Sequence, residues 1–221
     1  MTERTMWRIP MLPREEWTDE AREVMAFWGE PNAWEEGSKT NIQNVVANHP
    51  KFGMAFSVWG KHFLTTNTLP MRQYELIILR VGWKLQSQYE WHNHVGYALQ
   101  YGVTLEEIEA CKTGAADPVW DDKPLDRLTL AAVDELMTSN DLSDETWAAL
   151  AQHFDKRQLM DFVFVIGHYV MLGWGLNAIR MPLEAHTDPI GWDLKTASGK
   201  TPGVTFKPGE VEDWADKRGY S

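Results

Sequence analysis

Glu75, Glu90 and His94 are the residues of this sequence whose types and spacing could do chemistry. Glu90 and His94 are four apart, so on a helix they share a face one turn from each other. A carboxylate in that position orients an imidazole and raises its pKa, which gives a proton donor near neutral pH. Glu75 stands among apolar positions, and facing inward it would have its pKa raised by burial and be suited to proton transfer. Two blander readings stand beside this one. A Glu–His pair at this spacing can simply support a helix surface, and Glu75 could form an ion pair with Arg72, three residues before it.

The other candidates are weighed in the same way. His92 and His94 form an H-x-H pattern, but two residues on a helix are about 200° apart in azimuth, so the rings point away from each other. Glu90 and His94 with His168 could in principle supply metal ligands, yet no HExxH or cysteine motif supports a metal, and none is expected. His168 lies in the apolar run Val165 to Val170, where a histidine must find a partner; a hydrogen-bonded core residue and a pocket residue both fit. Arg80 and Lys84, four apart, could clamp a substrate carboxylate or lie on a solvated face. Tyr89 and Tyr97 could line a pocket or fill the core, and Trp91 fits the core better. Cys111 has only Lys112 as an activating neighbour and reads as inert.

These groups need helices to position them. Pro70 opens one over Met71 to Leu85, apolar almost all round and therefore central. A second runs from Ser87 to Gln100 and ends at Gly102. Thr104 to Glu107 is a capping box for a short helix to Lys112, and Gly114 to Lys123 is a loop. Further helices are expected from Thr18 to Gly29, Pro50 to Leu64, Leu125 to Met137, Ser143 to Phe154 and Arg157 to Met181, with Pro31 to Lys39 a loop. Strand patterns are almost absent, so the fold class is all-α, a helical bundle. After Pro182 the periodicity fades. Residues 1–184 read as one helical domain, and 185–221 as an irregular arm whose Trp192, Phe206 and Trp214 should pack on its own subunit or a neighbour.

Composition sets limits. The formal net charge is −11 with no basic cluster, which argues against nucleic acid or an anionic membrane surface as partners. A single cysteine excludes an intrachain disulfide. No signal peptide is visible, and the apolar run Phe162 to Leu176 is too short to span a bilayer, so a cytoplasmic protein is expected. Twelve Trp and ten Met favour a wide core or a subunit interface.

The stretch Arg72 to Leu76, Ile78 to Val81 and Tyr89 to His94, with Gly102-Val103-Thr104, Glu106 to Ile108, Gly167-His168-Tyr169, Leu176-Asn177 and Leu183-Glu184, resembles the carboxymuconolactone decarboxylase family of the alkylhydroperoxidase D-like superfamily. The resemblance covers roughly Arg14 to Glu184. It implies an all-helical fold assembling as trimers or as hexamers of two trimers. It also implies a cofactor-independent lyase that releases carbon dioxide and protonates the resulting dienolate. Peroxidase relatives carry C-x-x-C followed by His, with an upstream Glu as relay. Aligned on His94, Ser87 and Glu90 occupy the cysteine positions and Glu75 the relay position, so thiol peroxidase activity is not expected. His92 departs from the family pattern and could mark a distinct substrate. The expectation is a decarboxylase-type lyase on a small carboxylic acid or lactone from aromatic-compound catabolism. Glu90, His94 and Glu75 would be catalytic, and Arg80, His168, His92 and Tyr89 would meet the substrate. The alternatives are an isomerase, hydratase or hydrolase using the same pocket, or a non-catalytic oligomeric binding protein. A water-accessible trio favours an enzyme; closed burial in ion pairs favours the binding protein.

Overall fold

Pro70 and the unbroken apolar block Leu76 to Leu79 dictate the central element, a helix that buries every side chain from Gln73 to Val81. The structure, a computed structural model, describes residues 7–204, so Phe206 and Trp214 lie outside the described residues. Among these residues there are ten α-helices, two short 3-10 turns and a single isolated bridge pair, which makes the fold all-α. The described residues divide into two compact units, 7–64 with 175–187, and 65–174 with 188–204.

The first unit holds α1 (Asp19–Met25), α2 (Ala33–Glu36), α3 (Asn41–Val46) and α4 (Pro50–Thr65). Thr18 caps α1 by accepting from the Ala21 N–H at 3.2 Å. Ala21, Val24 and Met25 pack with Val46 and Ala47 as a local core. Buried Gln43 is satisfied by donating to Val24 O and, at 2.8 Å, to Ser57 Oγ. The segment expected as a loop from Pro31 to Lys39 contains α2, and α3 was not foreseen at all. At four and six residues these helices are too short to display a hydrophobic period.

The second unit holds α5 (Met71–Leu85), α6 (Gln88–Gln100), α7 (Leu105–Ala110), α8 (Pro124–Ser139) and α9 (Asp144–Leu150). It also holds the greater part of α10 (Lys156–Ile179). The expected capping box at Thr104 and Glu107 is present. α5 packs against both α6 and α8, and the core between them is built from Leu76, Leu79, Trp91, Val95, Ile108, Trp120 and Leu130. Arg72 does not pair with Glu75. Its guanidinium instead joins Glu107 at 2.6 Å and Asp126 at 2.7 Å, fastening α5 to α7 and α8. The loop from Gly114 to Lys123 includes a 3-10 turn over Pro118–Trp120 that drives Trp120 into the core.

α10 corrects the expectation drawn from its most apolar run. At 24 residues it is long and apolar enough to cross a bilayer by length and composition, although its apolar window is 39% buried inside the fold. Beyond it, Ile190 pairs with Thr196 in the single bridge, and Trp192 packs against Trp83 and Trp91 with ring centroids 5.3 and 5.2 Å away. This part of the expected arm therefore packs on its own chain.

Candidate active site

α5 and α6 are adjoining helices inside the second unit. Glu75 comes from the middle of α5, where its neighbours Tyr74, Leu76 and Ile77 are all buried. Glu90 and His94 come from α6, one turn apart as the spacing required. The three meet: His94 Nδ1 lies 2.8 Å from Glu75 Oε2, and His94 Nε2 lies 3.5 Å from Glu90 Oε2. Exposure is 2% at Glu75, 4% at Glu90 and 7% at His94, so the cluster is closed rather than open to water.

Burial sets the electrostatics. It opposes charge on His94, but the charge and hydrogen bond of Glu75, with those of Glu90, outweigh it and raise the imidazole to about 9. Burial also raises Glu75, partly offset by His94, with Glu90 adding to the rise. The Glu75–His94 pair therefore retains its proton at neutral pH. Two carboxylates share one imidazole, which exceeds what a structural ion pair needs.

The surrounding wall is aromatic. The Tyr169 ring on α10 meets the His94 ring edge-on at 5.2 Å, and Tyr97 lies 5.4 Å from it. Tyr74 and Tyr169 share a hydroxyl–hydroxyl hydrogen bond of 2.7 Å, and burial raises both phenols. This pair escaped the sequence reading. The only signal for it was that a buried tyrosine hydroxyl must find a partner.

The remaining candidates separate. Arg80, read as an anion clamp, is instead a structural tie. It donates to Asp134 at 2.8 Å through two nitrogens and to the Cys111 and Lys112 carbonyls at 2.8 and 2.7 Å. Lys84 joins the same Asp134 at 3.0 Å. Gly114 permits this approach, since a Cβ there would stand 2.7 Å from the Arg80 guanidinium. His92 faces away from His94, as two-residue spacing demands, and its Nδ1 accepts the Ile190 N–H at 3.0 Å. A nitrogen accepting a backbone N–H there ties α6 to the segment after α10 and is removed from the acid–base cluster. His168 is buried, and burial with the positive charge of His94 lowers it to about 4, so it is neutral at physiological pH. The Tyr89 side chain is half-buried at the start of α6, and its carbonyl accepts from Asn93. Cys111 is fully buried, and burial pushes its thiol well above the ordinary range.

Residues 52–132 match the Carboxymuconolactone decarboxylase family, a segment that includes Glu75, Glu90 and His94. The fold is similar to that of a peroxidase-related protein from a Silicibacter species, with 17% identity, TM-score 0.63, and coverage of 83% of this chain and 93% of that one. It is also similar to an alkylhydroperoxidase AhpD core protein from Ralstonia eutropha, with 16% identity, TM-score 0.64, and coverage of 82% and 94%. A third similar structure is the debrominase Bmp8 in complex with 2,3,4-tribromopyrrole, with 17% identity, TM-score 0.60, and coverage of 80% and 92%. No curated protein sequence matches.

Proposed function

We propose that this chain is a member of the carboxymuconolactone decarboxylase and alkylhydroperoxidase D-like superfamily, whose family model it matches over residues 52–132, and is a cofactor-independent lyase of the decarboxylase type. Its substrate would be a small carboxylic acid or lactone of aromatic-compound catabolism. The observation that carries the reading is the buried Glu75–His94–Glu90 cluster, in which one imidazole is flanked by two carboxylates. A carboxylate left without its own cation in a dry interior is costly, and such arrangements concentrate where protons are moved.

The chemistry is proton transfer. The bond to the substrate carboxylate breaks, carbon dioxide leaves, and the electron pair passes into the conjugated carbonyl as a dienolate. His94, protonated below about 9, delivers its proton to the carbon. Glu75 fixes the ring through Nδ1, which leaves Nε2 to face the substrate and Glu90. A proton from solvent, relayed past Glu90 beside Nε2, then restores the His94 imidazolium for the next cycle. His168, neutral beside the cluster, and Tyr89 at the start of α6 are proposed as substrate contacts.

A homotrimer, or a hexamer of two trimers, accompanies this reading. Met160, Phe164, Met171 and Trp174 are exposed and fall on one stripe of α10, the kind of face a subunit contact covers. A cytoplasmic location fits the single buried cysteine. The second reading, a non-catalytic oligomeric binding protein, is favoured by the closed burial of all three residues. The test is consumption of carboxymuconolactone and a panel of aromatic acids and lactones, with detection of carbon dioxide. Consumption abolished in His94→Ala supports the lyase; a panel that binds without turnover supports the second reading.

A further inference from the structure

Ser87 stands at the N-cap of α6, where a serine hydroxyl would ordinarily accept a backbone N–H from the first turn. It makes no such bond. Its Oγ is fully buried and, among the described residues, has no hydrogen-bond partner. An isolated buried hydroxyl forgoes both the cap and its hydration, so its position needs a reason.

The helix geometry supplies the direction. Ser87, Glu90 and His94 lie within about 60° of one another around α6, and Glu90 stands between the other two along the axis. Two contacts lay α10 along this stripe. The Tyr169 ring covers His94 at one end. At the other, a Cβ built on Gly173 would stand 3.7 Å from Ser87 Oγ and 2.9 Å from Leu85 Cδ1. Tyr169 and Gly173 are four apart and so share a face of α10. Ser87 Oγ thus sits on the same strip as the acid–base groups, beside a glycine that brings no side chain against it. The helical rise separates Ser87 from His94 by about 10 Å, two turns, with Glu90 between them.

We propose that Ser87 is a further catalytic residue of this site. Its hydroxyl donates a hydrogen bond to the substrate oxygen on which negative charge gathers as the bond to the carboxylate breaks, while His94 protonates carbon at the opposite end. The substrate class is a compact ring bearing a carbonyl or lactone oxygen conjugated to the carbon that is protonated. A neutral donor suits this task, because a hydroxyl aimed at a developing oxyanion gains strength only as charge develops. This inference rests on the proton-transfer function proposed above.

The experiment compares wild type, Ser87→Ala and His94→Ala for carboxymuconolactone turnover, thermal melting, and the melting shift given by millimolar carboxymuconolactone. Ser87→Ala is expected to melt at or above the wild-type temperature, since it deletes an unpartnered hydroxyl, while kcat falls about tenfold to a hundredfold with KM nearly unchanged. A kcat within about twofold of wild type overturns the proposal, and so does a lowered melting temperature, which would reveal a protein partner for Oγ. Full activity in Ser87→Ala with a dead His94→Ala removes Ser87 alone. Full activity in both removes the proton-transfer function itself. If wild type binds the lactone without turning it over, a melting shift that disappears in Ser87→Ala supports the contact, and a shift that persists overturns it. No shift in wild type overturns both the contact and the function.

Discussion

Glu75 on α5 lies 2.8 Å from Nδ1 of His94 on α6, an ionisable pair set between two helices packed against each other. That one bond fixes the ring's rotation and leaves Nε2 directed toward Glu90 at 3.5 Å. The two carboxylates therefore have different tasks. Glu75→Gln should misorient the ring and lower kcat with the melting temperature little improved. Glu90→Gln keeps the shape but removes a charge that favours the imidazolium. Measured singly and together, the losses should fall short of additive, because the residues act as a unit. Strict additivity in a double-mutant cycle would show that they work apart.

The pH profile follows from the same bond. His94 is raised from 6.5 to about 9, so the acid form that donates the proton is present below that value and lost as pH rises through it. Activity should fall on an alkaline limb near 9. In Glu90→Gln that limb should move downward, since one cause of the rise has gone. Stability carries the same sign. A group whose folded pKa is raised contributes fully below its unfolded value of 6.5 and loses that contribution between 6.5 and about 9. His168, lowered to about 4, acts oppositely. Its buried neutral ring costs stability as pH falls from 6.5 toward about 4. Thermal melting from pH 4 to 10, in about one-unit steps, should show both slopes. The alkaline slope should vanish in His94→Ala.

Much of this arrangement was legible in the sequence because it depends on local spacing. Four-residue spacing put Glu90 and His94 together, two-residue spacing sent His92 to the far side, and of the two readings left open for Glu75 the inward-facing one is the one found. What was not legible depends on partners distant along the chain. Arg80 was a plausible anion clamp until Asp134 and the carbonyls after α7 took its donors. Arg72 was a plausible mate for Glu75 until Glu107 and Asp126 proved closer. The Tyr74–Tyr169 hydroxyl pair links residues 95 positions apart, which no helical period encodes. α2 and α3 were missed because four and six residues cannot show a period.

Arg72 offers a test of the scaffold apart from the chemistry. Its guanidinium neutralises two carboxylates that are 5% and 7% exposed. Arg72→Ala leaves Glu107 with Lys123 at 3.7 Å and the Thr104 N–H, and Asp126 with Gln73, and should cost about 3 kcal/mol, the lower end for a broken buried pair, because the arginine itself is a quarter exposed. Chemical denaturation checks this. A loss below about 0.5 kcal/mol would mean that water screens the cluster far more than its burial suggests.

Hydroperoxide turnover should be absent. Cys111 is the lone thiol, sealed in the core and held protonated by burial, so it can neither attack a peroxide nor close a disulfide within the chain. An assay with a lipoamide or thioredoxin-type reductant should give the same background rate for wild type and Cys111→Ser. Rapid wild-type turnover lost in Cys111→Ser would place the chain with the thiol peroxidases.

Assembly is read by light scattering. The chain has a mass of 25.4 kDa, and a trimer should scatter at three times that value. Trp174→Glu places a charge on the exposed stripe of α10 and should shift the population toward monomer. A wild-type monomer at micromolar concentration would contradict the proposed trimer.

The most direct test of the central claim compares steady-state turnover of His94→Ala and His92→Ala on one substrate found by carbon dioxide release. Loss of general acid catalysis should lower kcat of His94→Ala by about 10²–10⁴-fold with little change in KM. His92→Ala, which gives up a tie to the Ile190 backbone on the other side of α6, should stay near wild type. A near-normal His94→Ala beside a dead His92→Ala would show that the chemistry lies on the other face of α6 and would contradict the acid–base site described above.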